Sequence, residues 1–173
     1  MMKLFRASAL LVVMLSVMAA AARAQTGDSD VPKPDLSGTW RLNIDKSNLG
    51  GLPAPLKLIE TISQSGASEI TFHVQKLTDK GETKYHYTLQ IGGKETAIPI
   101  NTFSPTDEFQ IQNAQASWAA DSLVVTINAT YRDAPWTMVA HYTLTPDGKR
   151  LTKAIEIDKD SGPGYMVEIY DKD

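Results

Sequence analysis

Residues 122–144 read SLVVTINATYRDAPWTMVAHYTL, and their period is two. Leu123, Val125, Ile127, Ala129 and Tyr131 hold every other position, with Thr126, Asn128 and Thr130 between them. After Asp133-Ala134-Pro135 the pattern resumes with Trp136, Met138, Ala140, Tyr142 and Leu144, interleaved with Thr137, His141 and Thr143. Strict alternation sends successive side chains to opposite faces of an extended chain, and β-branched and aromatic residues suit such a surface. Two such runs joined by a short polar break predict a hairpin with one apolar face.

The same period extends outward from this hairpin. Trp40, Leu42 and Ile44 alternate with polar neighbours, as do Ile70, Phe72 and Val74, and Tyr85, Tyr87, Leu89 and Ile91. Weaker runs lie at Lys94–Ile98 and Phe109–Trp118. Turn-forming residues separate the runs at Asp79-Lys80-Gly81, Gly92-Gly93, Ala120-Asp121-Ser122 and Asp160–Gly164. Pro146-Asp147-Gly148-Lys149 is the clearest turn, because Gly accepts a left-handed backbone. Asp45–Pro55 (DKSNLGGLPAP), with two Gly and two Pro, predicts a long irregular connection. The expected total is eight to ten strands, with no capped 3.6-residue period outside the amino-terminal segment.

Successive one-sided hairpins either curl into a barrel or split into two packed sheets. Hairpin-to-hairpin order with one long early connection favours the barrel, and closure removes exposed sheet edges. The expected fold is all-β, an antiparallel up-and-down β-barrel.

The first 24 residues read differently. Lys3 and Arg6 precede an apolar run, Ala7–Ala22, and Ala22-Arg23-Ala24 places small residues before Gln25. That is the pattern of a cleaved export signal. The 16-residue run is short for a membrane span, which needs about 20. We therefore expect a signal peptide over 1–24, a flexible lead-in over 25–34 and a single barrel domain over 35–173, exported to a periplasmic or secreted location, most simply bacterial. Lys3, Arg6 and Arg23 are three of the 17 basic residues, so the remainder sets 14 bases against 20 acids. An acidic, unclustered surface argues against nucleic acid as a partner and against docking on anionic lipid. The chain has no Cys, which excludes disulfides, thiolate metal sites and a cysteine nucleophile.

At the start of the first strand, Asp35-Leu36-Ser37-Gly38-Thr39-Trp40 resembles the G-x-W signature of lipocalin and calycin barrels. The resemblance implies that Gly38 lets the chain turn into the strand and that Trp40 plugs one end of the barrel. DLSGTWRLN at 35–43, Trp118 with Asp121–Val125, and Tyr142–Thr152 are also similar to small secreted bacterial proteins described as lipocalin-like. The sequence departs from lipocalins proper at Thr130-Tyr131-Arg132-Asp133, a scrambled form of their TDY-type motif. Where they set an Arg over the plug and add a helix, only Lys172 takes the cation's place and no helix follows. No set of biotin-contacting residues supports the related avidin pattern.

Common catalytic signatures are absent: there is no G-x-S-x-G elbow, P-loop, dinucleotide fingerprint or H-E-x-x-H. His73, His86 and His141 fall on the polar phase, which places them on the solvated outside. Only if they converged would they offer zinc or copper ligands. Arg132-Asp133 reads as a hairpin tip, or alternatively as a polar rim beside Tyr131 and Trp136. Asp107-Glu108 and Asp158 with Asp160 read as solubilising acids. Asp28, Asp30 and Asp35 lack the spacing of a calcium loop.

The apolar phase holds the candidate ligand-lining set: Phe72, Tyr85, Tyr87, Leu89, Tyr131, Trp136, Met138 and Tyr142. In a barrel these converge, and a ten-stranded wall encloses more room than side chains fill easily. The function expected is an exported barrel that holds a small hydrophobic or amphipathic molecule in its lumen, without a cofactor. The alternatives are a packed barrel acting as an envelope adaptor or inhibitor through its loops, chiefly Asp45–Pro55, a structural envelope component, and a barrel enzyme on a lipid-like substrate. An enzyme requires titratable groups meeting inside, and the inward phase assigned above supplies none.

Overall fold

The computed structural model describes residues 32–98, 109–131, 134–158 and 164–173. The expected signal peptide, residues 25–31 of the lead-in with Asp28 and Asp30, Asp107-Glu108, Arg132-Asp133 and Asp160 lie outside them. Ten strands are described: β1 Gly38–Leu42, β2 Lys57–Ser65, β3 Glu69–Thr78, β4 Gly81–Gln90, β5 Thr96–Ala97, β6 Phe109–Ala119, β7 Ser122–Tyr131, β8 Ala134–Leu144, β9 Arg150–Asp158 and β10 Gly164–Lys172. They form one antiparallel sheet in the order β4-β3-β2-β1-β10-β9-β8-β7-β6-β5. Every step along the sheet joins strands adjacent in sequence, except where β1 meets β10. The first and last strands therefore pair, as an up-and-down barrel requires.

The sheet curls until its two edges nearly meet. Phe72 on β3 and Tyr142 on β8 are five steps apart along the sheet, yet their ring centroids lie 5.4 Å apart. Beyond the end of β4, Ile91 forms a parallel bridge with Ala116 of β6, and the amides of Gly92 and Gly93 both donate to the Ala116 carbonyl at 2.9 and 2.8 Å. The inward phase is buried along β1 (Trp40, Leu42), β3 (Ile70, Phe72, Val74) and β7 (Leu123, Val125, Ile127, Ala129). It continues into Ala140 and Tyr142 of β8, Leu151 and Ile155 of β9, and Tyr170 of β10.

Local sequence explains the remaining features. The weak run at 94–98 shrinks to the two-residue β5, whereas that at 109–118 becomes a full strand, β6. The register of β6 against β7 shifts between Ile111 and Asn113. This bulge puts Ile111 and Ala114, three apart, on the same buried face, which is why a period of two was faint there. Asp45–Pro55 is irregular apart from a 3-10 turn over Ile44–Lys46 and a bridge from Asn48 to Val167 of β10. In the 146–149 turn Gly148 has φ +68°, and the Asp147 carboxylate accepts from Thr145 Oγ1 at 2.7 Å and from the Lys149 amide at 3.1 Å.

Trp40, expected to plug one end of the barrel, is fully buried and donates its indole N–H to the Leu36 carbonyl at 2.9 Å. Lys172 Nζ lies 5.0 Å from the indole ring, so a lysine supplies the cation over the plug. Gly38 has φ +148°, and a Cβ there would come within 2.7 Å of Lys172 Cε. Gly38→Ala is expected to lose about 1–3 kcal/mol of stability by urea denaturation, through backbone strain and displacement of Lys172. Adding Lys172→Ala relieves the clash but not the strain, so the double variant recovers only part. An unchanged midpoint for the single variant would refute this account of the plug.

Candidate functional site

The inward face is not uniform along the barrel. At the Trp40 end Ile62, Ile70, Leu89, Leu123, Val125 and Leu151 leave almost no exposed surface. At the other end the side chains stop short of one another and leave a cavity of about 430 Å³. Tyr85 and Tyr87 of β4, Trp136 and Met138 of β8, Ile127 of β7 and Ile155 of β9 form much of its wall. Leu49, Leu52, Pro53 and Pro55 of the irregular connection, with Lys76 and Lys80 near the β3–β4 turn, contribute to it as well. The Asp45–Pro55 segment is thus part of the cavity.

Of the residues the alternation proposed as lining, Tyr85, Tyr87, Trp136 and Met138 lie in the cavity wall. Phe72, Leu89 and Tyr142 point inward but are not in that wall: they are sealed in the packed half. Phe72 stacks on Tyr87 with centroids 4.9 Å apart and so supports the wall from behind. A period of two gives the face of a residue but not its depth along the barrel, which accounts for the difference. Tyr131 ends β7, paired with Ala134. His73 and His86 are directly opposed on β3 and β4, exposed, and stacked with centroids 5.4 Å apart, while His141 lies on β8. Among the described residues no three His, Asp or Glu gather as a metal site.

The lumen also contains charge, contrary to the expectation of an inward phase without titratable groups. Glu60 of β2, Lys153 of β9 and Glu168 of β10 all line the cavity. Lys153 Nζ contacts Glu60 Oε1 at 2.6 Å and Glu168 Oε2 at 3.4 Å, and lies 5.3 Å from the Tyr142 ring. The Tyr170 hydroxyl sits 3.0 Å from Glu60 Oε1 and 2.8 Å from Glu168 Oε2. Glu60 is only 2% exposed, so its charge is separated from bulk water. A faint signal was available: in Leu58-Glu60-Ile62, Leu151-Lys153-Ile155 and Met166-Glu168-Tyr170 a charged residue stands two positions from inward apolar neighbours on either side. Isolated charges on an apolar phase mark an internal pair when they come from strands that the closed sheet brings together.

The protonation states follow from this packing. Burial by itself would strip the proton from Lys153, but Glu60, together with Tyr142, Tyr170 and Glu168, outweighs it and holds the ammonium well above the usual lysine range. Burial pushes the Tyr87 and Tyr170 hydroxyls well above the ordinary phenol range, and Tyr85 and Tyr142 shift the same way. Near neutral pH the lumen therefore holds an ammonium and neutral phenols. A lysine kept protonated is a poor nucleophile, so the cluster is suited to binding and positioning rather than to covalent attack.

No protein-family model matches the chain, and no curated protein matches it. The barrel is similar to the crystal structure of zebrafish ileal bile acid-binding protein complexed with cholic acid, with a TM-score of 0.51 and 14% sequence identity. The match covers 79% of this chain and 98% of that one. The fold is a lipocalin-like, calycin-type barrel. The likeness concerns the path of the backbone, and the polar cluster is read from this chain's own residues.

Two outcomes follow for this barrel. Lys153→Met leaves Glu60 buried without its cation and is expected to lose about 3–5 kcal/mol by chemical denaturation, whereas pairing it with Glu60→Leu restores most of that stability. Equal loss in the single and double variants would mean that the pair is not the source of the effect. Lys153 and the buried tyrosines have raised values in the folded state, so their contribution is complete below their ordinary values of about 10 and is lost as pH rises through the folded ones. The thermal midpoint should accordingly fall steeply on the alkaline side, with absorbance near 295 nm following unfolding rather than preceding it.

Proposed function

We propose that this protein is an exported carrier that binds a small hydrophobic or amphipathic molecule in its lumen. The observation that carries this reading is the 430 Å³ cavity, largely apolar along its wall, with charged residues at the Glu60–Lys153–Glu168 cluster and at Lys76, Asp79 and Lys80 near the β3–β4 turn. Its size falls in the usual range for small-molecule sites, roughly 300–1,000 Å³. Apolar walls supply affinity by removing ligand surface from water, and a few fixed polar groups orient what enters. The zebrafish barrel of similar fold holds cholic acid, which is consistent with occupancy of a lumen of this kind. Export rests on the sequence: Lys3, Arg6, the apolar Ala7–Ala22 run and Ala22-Arg23-Ala24. In that arrangement residues 1–24 are removed, residues 25–34 are a flexible lead-in and the barrel works outside the cytoplasm.

Native mass spectrometry of the protein purified from its own host, without detergent, should reveal a co-purifying small molecule. Met138→Trp fills part of the cavity and should weaken that binding by about tenfold or more while circular dichroism stays that of a β-protein. A wholly apo mass, together with no uptake of any lipid-like probe by the wild type, would refute the carrier reading.

A further inference from the structure

The polar cluster can be read for the kind of head group it accepts. Two carboxylates and one ammonium leave it with a net charge of −1. Hydrogen-bonding capacity is unbalanced in the same sense. Lys153 and Tyr170 both reach Glu60 through Oε1, and both reach Glu168 through Oε2. Tyr170 has one hydroxyl proton for two carboxylate contacts, so it can donate to only one of them at a time. Glu60 Oε2 is buried with no hydrogen-bond partner at all. A buried carboxylate oxygen without a donor is costly to leave unsatisfied, and more so beside a second carboxylate. The cluster is therefore short of one positive charge and at least one donor.

We propose that the lumen selects amphiphiles whose polar head is a cationic hydrogen-bond donor, of the class of long-chain primary amines, with the head at Glu60 and Glu168 and the chain along Tyr85, Tyr87, Trp136 and Met138. This inference rests on the lumen-binding reading above. An ammonium head adds the missing charge and brings three donors for oxygens that Lys153 and Tyr170 do not satisfy. An alcohol adds one donor without charge. A carboxylate head adds a second net negative charge and no donor, so a cluster of this composition repels it. Glu60 and Glu168 both line the cavity, so the cluster is reached from within it.

The test is calorimetric titration of the delipidated full chain, near neutral pH, with dodecylamine, dodecanol, dodecanoate and dodecyltrimethylammonium, each below its aggregation threshold. The amine is expected to bind about tenfold more tightly than the alcohol and the trimethylammonium ion, which has the charge but no donor, with the carboxylate weakest. Glu168→Gln, which neutralises the cluster while keeping an acceptor for Tyr170, should bring the amine to within about threefold of the alcohol. Dodecanoate binding as tightly as the amine overturns the head-group assignment, and so does an amine preference that survives Glu168→Gln. The wild-type ranking needs no variant, so a misfolded Glu168→Gln protein leaves that arm decisive. If none of the four probes binds, the lumen reading itself fails, whereas binding without preference for the amine removes only the head-group inference.

Discussion

Pairing of β1 with β10, together with the near-contact of β4 and β6, obliges the inward side chains of ten strands to share one enclosed space. A wall of that circumference encloses more volume than ordinary side chains fill. The chain meets this geometry in two ways. At one end it spends its bulk, with Trp40, Phe72, Tyr142 and Tyr170 all buried. At the other end the wall is left unfilled. Filled end, open cavity and the polar layer between them are all consequences of closing a sheet of this width.

The polar layer depends on the closure as well. Glu60 and Lys153 come from β2 and β9, which are separated in the sheet by β1 and β10. Only curvature brings their side chains to 2.6 Å. In a flat sheet both would be desolvated apart from one another, an expensive arrangement. The pair is thus favourable only in the closed barrel. It acts as a check on strand pairing, since a one-residue slip of β2 or β9 would send one charge outside and strand the other.

Much of this was legible in the sequence because alternation, turn residues and the Gly38–Trp40 segment are local signals. Leu123–Tyr131 and Trp136–Leu144 needed no tertiary information to read as a hairpin. What escaped depends on relations between strands. In β10 both phases carry apolar residues: Val167 and Ile169 are outward but half-buried where the 43–48 segment runs alongside, so Met166, Glu168 and Tyr170 did not stand out as the inward set. The bulge in β6 weakened the signal of its strand by breaking the period. Depth along the barrel, which separates Tyr87 and Met138 in the cavity wall from Leu89 and Tyr142 in the packed half, is set by register against strands far away in sequence. No local pattern encodes it.

The seam between β4 and β6 differs from the long joints of the wall. From β2 to β4 and from β6 to β10 a continuous ladder joins adjacent strands, whereas here one isolated bridge and two glycine amides converge on a single carbonyl, that of Ala116. Among the described residues this line is held by far less backbone pairing than the ladders of β2 to β4 or of β6 to β10. Beside those ladders the barrel therefore has a direction of least resistance, and a widening of the wall along it begins at Gly92 and Gly93.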